Sequence, residues 1–170
     1  MKTLIVFDSR HGFTERCLDL LTAELPPGVD LWSLRRRPGT PDWGSYDIVV
    51  FGGPVYFGRF SPKLVGFLGR NMGPLSSHRS VAAFVVSLSP RAAALNYLTR
   101  ALPAPLTGKP GHVACFGGGI VWRNLAWWEK LLLKRSRGIE TDVSNLDLGE
   151  IQALAAWVST QAVSANPGPK

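Results

Sequence analysis

Short apolar runs and amphipathic segments alternate along most of this chain. Leu4-Ile5-Val6-Phe7 closes a strand over residues 2–7, and residues 14–25 follow as a helix with Cys17, Leu18, Leu21 and Leu25 on one face. Pro26-Pro27-Gly28 ends that helix, and residues 29–34 read as a second strand. The continuous run Ile48-Val49-Val50-Phe51 predicts a third strand, over 47–51, buried on both faces. The next stretch, Gly52-Gly53-Pro54-Val55-Tyr56-Phe57-Gly58-Arg59-Phe60, reads as a loop. Ser61 then has the chemistry of an N-cap, with Pro62 at the first helical position of a helix reaching about residue 71.

A fourth strand is expected over 80–86, and Ser89-Pro90 opens a helix over 91–102. The fifth strand, 112–116, ends in Gly117-Gly118-Gly119. Residues 122–135 then read as one basic, Trp-rich helix stopped near Gly138, and 142–146 as loop. Asp147 and Glu150 make a capping-box-like start for the last helix, with Ile151, Leu154, Ala155 and Val158 turned inward. The expected organisation is one domain over 1–165 with an insertion at about 120–146. Residues 166–170 are expected to form a flexible tail.

Five strands alternating with helices predict a doubly wound parallel α/β sheet. With strand order 2-1-3-4-5, a ligand sits outside the carboxyl ends of the strands at the switch point. The loops after strands one, three and four meet there. The first is Asp8-Ser9-Arg10-His11-Gly12-Phe13-Thr14. A strand, a tight polar loop and a helix in that order aim backbone N–H groups and a helix dipole at one place, which suits a phosphate. Gly12 permits the turn, and Ser9 and Thr14 add hydroxyls. Arg10 adds charge or faces solvent, and His11 reads as a polar loop residue more than an acid–base group. Tyr56 and Phe57 are candidates to pack on a ring, or to cap the core.

Composition narrows the class. At 170 residues and 45% hydrophobic content, the chain can bury a sizeable core. No run is apolar enough to span a bilayer, and Asp8 cuts the first one too short for a signal peptide, so a cytoplasmic location is expected. Cys17 and Cys115 lie in no metal-like cluster and read as buried free thiols. The net charge of +7 is unevenly placed: from Ile48 to Trp128 there is no Asp or Glu, while Arg59, Arg91 and Arg123 fall in that stretch. A positive field of this kind suits an acidic ligand or anionic lipid. No nucleic-acid motif accompanies it, so nucleic acid is not expected as a partner.

The first loop resembles the phosphate loop of flavodoxins. More narrowly, the chain resembles the flavodoxin-type, menaquinone-dependent protoporphyrinogen oxidases. Met1-Lys2-Thr3-Leu4-Ile5, then Arg10, Gly12 and Thr14, the aromatic Tyr56-Phe57-Gly58, and Gly118 through the Trp-rich helix to Gly138-Ile139-Glu140-Thr141-Asp142 carry the likeness. That resemblance implies a flavodoxin-like fold and noncovalent FMN. The cofactor residues implied are Ser9, Arg10, His11, Gly12, Phe13, Thr14, Pro54, Val55, Tyr56, Phe57, Gly58, Ser87, Leu88, Ser89 and Arg91. It also implies oxidation of protoporphyrinogen IX in haem synthesis with a membrane quinone as acceptor. His11, Phe13 and Pro54 depart from the usual pattern of the family.

Arg91 or Arg123 could pair with porphyrinogen propionates. Acid-free second and third loops predict a flavin that accepts two electrons readily. The Trp-rich helix, with Arg123, Trp127, Trp128, Lys130 and Lys134, has the composition of an interfacial helix, but also of one docked on the domain or on a second subunit. Peripheral contact with the inner face of the cell membrane and self-association therefore both stay open. The rivals are a flavodoxin-type electron carrier, an NAD(P)H:quinone reductase and a non-enzymatic interaction module.

Overall fold

The computed structural model describes residues 1–164; the expected tail at 166–170 lies outside them. Five parallel strands form the main sheet: β1 (Thr3–Phe7), β2 (Val29–Ser33), β3 (Ile48–Tyr56), β5 (Ser80–Val86) and β6 (His112–Cys115), in the order β2-β1-β3-β5-β6. Counting only these five, that is the expected 2-1-3-4-5. The short strand β4 (Arg59–Phe60) hangs from β3 as an antiparallel partner.

Alternation along the strands gives the sheet two apolar faces. Leu4, Val6, Val49, Phe51, Val81, Ala83 and Val85 pack with Leu64, Phe67 and Leu68 of α2 (Pro62–Arg70) and Ala94 and Leu98 of α4 (Arg91–Ala101). A short α3 (Met72–Ser77) adds Leu75 to this side. Ile5, Phe7, Ile48, Val50, Ala82 and Phe84 pack with Cys17, Leu18 and Leu21 of α1 (Phe13–Ala23) and Ile151, Leu154 and Val158 of α6 (Leu148–Ser164). Phe84 stacks on Phe116 at 4.8 Å between ring centroids. A Cβ at Gly52 would strike the Phe84 ring and its carbonyl, so β3 needs glycine there.

Three expectations are corrected. Gly52, Gly53 and Pro54 are not loop; they continue β3, with Gly52 paired to Phe84 and Pro54 to Val86. Residues 142–146 are not loop either: β8 (Val143–Leu146) pairs with β7 (Gly117–Ile120), the glycines in which the fifth strand was expected to end, as a separate antiparallel ribbon. The Trp-rich segment is broken into a 3₁₀ turn at Trp122–Asn124 and α5 (Trp127–Arg137), which stops at Gly138 in the left-handed region. Glu129 reaches back to the Ala126 N–H at 2.9 Å and sets the start of α5 there. Helix starts expected at Ser61 and Asp147 are present: Ser61 Oγ accepts from the Leu64 N–H, and Asp147 from the Glu150 N–H.

Candidate functional site

A pocket opens at the carboxyl ends of β1, β3 and β5, where the strand order reverses. His11, Phe13 and Thr14 line it from the first loop, Pro54, Val55, Tyr56, Phe57 and Gly58 from the β3–β4 hairpin, and Ser87, Leu88 and Ser89 from the loop after β5. The insertion closes the remaining side with Ile120, Val121, Leu125, Glu129 and Leu133. The three loops singled out in the sequence are thus brought together, and a fourth wall joins them.

The first loop is built for an anion. Gly12 stands at φ 88°, and no side chain caps α1, so its first N–H groups are free of side-chain partners. The Ser9 hydroxyl is buried with no hydrogen-bond partner, an expensive condition for a polar group that a bound oxyanion would relieve. Behind the loop, Asp8 is fixed by Arg35 at 2.7 Å and by the Ser61 hydroxyl at 2.6 Å. That carboxylate is therefore committed to structure.

The hairpin supplies aromatic surface. Phe57 is a non-glycine residue at φ 49°, and it is 66% exposed. Tyr56 lies edge-on to His11 at 5.6 Å. Burial, and then the Asp8 charge, push the Tyr56 phenol up to about 12, so it stays a neutral hydrogen-bond donor. On the opposite side, the Ser89 N–H donates to Ser87 Oγ at 3.0 Å, and the Ser87 N–H to the Gly117 carbonyl at 2.7 Å. The β7 backbone runs against this loop and against Phe13: a Cβ at Gly118 would strike Ser87 and Leu88, and one at Gly119 the Phe13 ring. These glycines let the insertion approach closely enough to form a wall.

Polar contacts then fasten the insertion to the first loop. Asn124 donates from Nδ2 to the His11 carbonyl at 2.8 Å, and its own carbonyl lies 3.0 Å from His11 Nδ1. Glu129, 5% exposed, takes Arg10 Nη2 at 3.5 Å and His11 Nε2 at 3.3 Å. The Arg10 guanidinium also sits over the Trp128 ring at 6.0 Å. Arg10 is thus turned to the insertion.

The acid-free surroundings read from the second and third loops are incomplete, because Glu129 enters the pocket from α5. It was legible as the residue that ends the long acid-free run, in an otherwise basic helix. Arg91 does not line the pocket: its Nε pairs with Glu150 at 2.9 Å, beside the Cys115 N–H that the same carboxylate accepts. Ser9, Arg10 and Gly12 do not line it either, but they belong to the first loop beside it; Arg91 is held away by Glu150, and its expected cofactor role is withdrawn on that pairing. Trp127, Trp128, Leu131 and Leu132 are exposed, Trp127 at 78%. Arg123 is also exposed, while Lys130 lies over Trp122 at 5.9 Å and Lys134 pairs with Glu140 at 3.0 Å.

The residues present fit FMN: an uncapped helix start and an orphan hydroxyl for the phosphate, and apolar walls for a flat ring. A family model described as a flavodoxin domain matches residues 4–147. The chain is similar to the protoporphyrinogen IX dehydrogenase (quinone) of Escherichia coli strain K12, 27% identical over 152 residues that cover 84% of this chain and 83% of that one. In fold it is similar to a WrbA-like flavodoxin from Agrobacterium tumefaciens, with TM-score 0.58 and 18% identity over 98% of this chain and 99% of that one. It also matches rubredoxin oxygen:oxidoreductase from Desulfovibrio gigas, with TM-score 0.58 and 15% identity over 99% of this chain, but spans only 37% of that longer chain.

Proposed function

Since the chain belongs to the flavodoxin domain family, we propose that it is an FMN-dependent oxidoreductase that dehydrogenates a porphyrinogen and passes the electrons to a quinone. The observation that carries this reading is the fourth wall. A freely diffusing carrier gains by leaving its ring edge open to protein partners, whereas here the insertion encloses the site with Ile120, Val121, Leu125 and Leu133. An enclosed apolar slot suits a flat small-molecule substrate. The name of the Escherichia coli relative supplies the substrate class and acceptor class. Haem synthesis and menaquinone follow as the specific setting.

FMN supplies the hydride acceptor when bound. The N–H groups of residues 10–14, with the Ser9 and Thr14 hydroxyls, would hold its phosphate. Tyr56, Phe57 and Gly58 from the hairpin and Ser87, Leu88 and Ser89 from the loop after β5 would hold its ring. Leu125 and Leu133 exclude water from the slot, and the neutral Tyr56 phenol offers a donor at its edge. Arg123, exposed and unlike Arg91 not paired to a carboxylate among the described residues, is the arginine we assign to substrate propionates, although it does not itself line the pocket. Glu129 lies 3.5 Å from the Arg10 guanidinium, which offsets its charge beside the site.

The same reading gives α5 a peripheral contact with anionic lipid, near the quinone pool. Trp127, Trp128, Leu131 and Leu132 are exposed beside Lys130, Lys134 and Arg135. Among the described residues, no helix is long and apolar enough to cross a membrane. Flotation with anionic vesicles is expected to carry the protein; absence from both anionic and neutral vesicles defeats the lipid contact. The reaction is tested anaerobically. Protoporphyrinogen IX should bleach the flavin, and a menaquinone analogue should restore its colour. A flavin that stays oxidised with the porphyrinogen defeats the substrate assignment and leaves FMN binding standing.

A further inference from the structure

His11 is held between two oxygen acceptors. Nδ1 lies 3.0 Å from the Asn124 carbonyl oxygen, and Nε2 lies 3.3 Å from Glu129 Oε1. A neutral imidazole carries one N–H, so it can satisfy one of these and must turn a lone pair toward the other. Both contacts are made together only when one more proton is present, on the second ring nitrogen or on the Glu129 carboxyl. In either form the pair is uncharged overall and holds one transferable proton on the Nε2–Oε1 line. The second Glu129 oxygen is already committed to the Ala126 N–H at 2.9 Å.

The surroundings fit such a device. The side chains are 12% and 6% exposed, and both residues line the pocket. The other charged or titratable groups that face the pair are few. Arg10 Nη2 reaches the same Oε1 at 3.5 Å, and the Tyr56 ring meets His11 edge-on. Glu15, across Gly12, is tied to Arg36 at 3.0 Å.

We propose that His11 and Glu129 are a proton-holding pair in the pocket wall, which donates a proton to the quinone and is reloaded from solvent. The assignment rests on the function proposed above. When a porphyrinogen C–H bond breaks, its electron pair leaves with hydrogen as hydride to the flavin. The neighbouring pyrrole N–H then loses a proton to water. As the quinone takes up hydride, the loaded pair gives it the second hydrogen as a proton, completes the quinol and is refilled from water. Two electrons and two hydrogens enter and leave per cycle, and the pair returns to its starting state. A mere helix cap and tether would need no extra proton.

The proton count is read first, on FMN-free protein, by nitrogen NMR of the His11 ring with carbon NMR of the Glu129 carboxyl at pH 7. Two ring N–H groups, or one with a protonated carboxyl, are expected. A bare Nε2 beside an ionised Glu129 overturns the proposal, whatever the substrate is. The second reading follows reoxidation of dithionite-reduced flavin by a quinone. Glu129→Gln and His11→Ala should slow it by about a hundredfold, the usual scale of a lost general acid, with added imidazole restoring His11→Ala. Reoxidation at the wild-type rate in both variants, or no rescue by imidazole, overturns the proposal. A wild-type flavin that protoporphyrinogen IX does not bleach defeats the substrate assignment alone, since neither reading uses the porphyrinogen.

Discussion

Ile48, Val49, Val50 and Phe51 of β3 are sealed on both faces, whereas Trp127, Trp128, Leu131 and Leu132 of α5 face solvent. Both elements border one pocket, but different physics holds them. The sheet is fixed by burial of apolar area between two helical layers. The insertion is fixed by close backbone approach at Gly118 and Gly119 and by a handful of polar contacts from Asn124 and Glu129. A scaffold of the first kind tolerates little change. An attachment of the second kind can be rebuilt without disturbing the sheet, which suits the substrate-selecting role proposed for the insertion.

The contrast can be broken from either side. Phe84→Ala removes a fully enclosed ring stacked on Phe116 and should cost about 3–5 kcal/mol in urea unfolding. A loss under about 1 kcal/mol would mean that the sheet is not held as described. The alkaline limb probes the same layer. Burial pushes the Cys17 thiol up from 9.0 to about 12. A raised value means that the unfolded chain loses its proton first, so this contribution is intact below pH 9 and is lost as pH climbs toward 12. Urea midpoints across that window should fall more steeply in the wild type than in Cys17→Ala; parallel curves would remove the argument.

Gly12→Ala should act on the ligand more than on the core. At φ 88° a Cβ costs about 1–2 kcal/mol, which should appear as weaker FMN binding by calorimetry with the sheet intact. Unchanged affinity would relocate the phosphate. Trp127→Ala is the mildest: unfolding free energy should move by less than about 0.5 kcal/mol because the ring is exposed. A larger loss would show that α5 packs on something more than polar contacts.

How much of this was legible in the sequence divides along the same line. Parallel strands announce themselves through runs such as Ile48-Val49-Val50-Phe51, and the helix starts at Ser61 and Asp147 through cap chemistry. The extension of β3 was hidden because Gly52, Gly53 and Pro54 have loop composition. Their strand geometry comes from pairing with Phe84, Val85 and Val86, which no local pattern encodes. The β7–β8 ribbon was hidden for a related reason: Gly117 pairs with Leu146 and Gly119 with Ser144, and glycine carries no strand signal. At the site, the loop residues were legible and most of them line the pocket. The misplacement of Arg91 and the role of Glu129 turn on partners distant in sequence, Glu150 for one and His11 for the other.

The central claim is that the sheet edge binds the flavin and the insertion decides what the flavin oxidises. Excising residues 121–142 and joining Ile120 to Val143, which already face each other across the ribbon, through an Asn-Gly turn tests it directly. FMN affinity should stay within about tenfold of wild type, which is about 1.4 kcal/mol, while bleaching by protoporphyrinogen IX is lost. A folded variant that no longer binds FMN, or one that still oxidises the porphyrinogen at the wild-type rate, would contradict it.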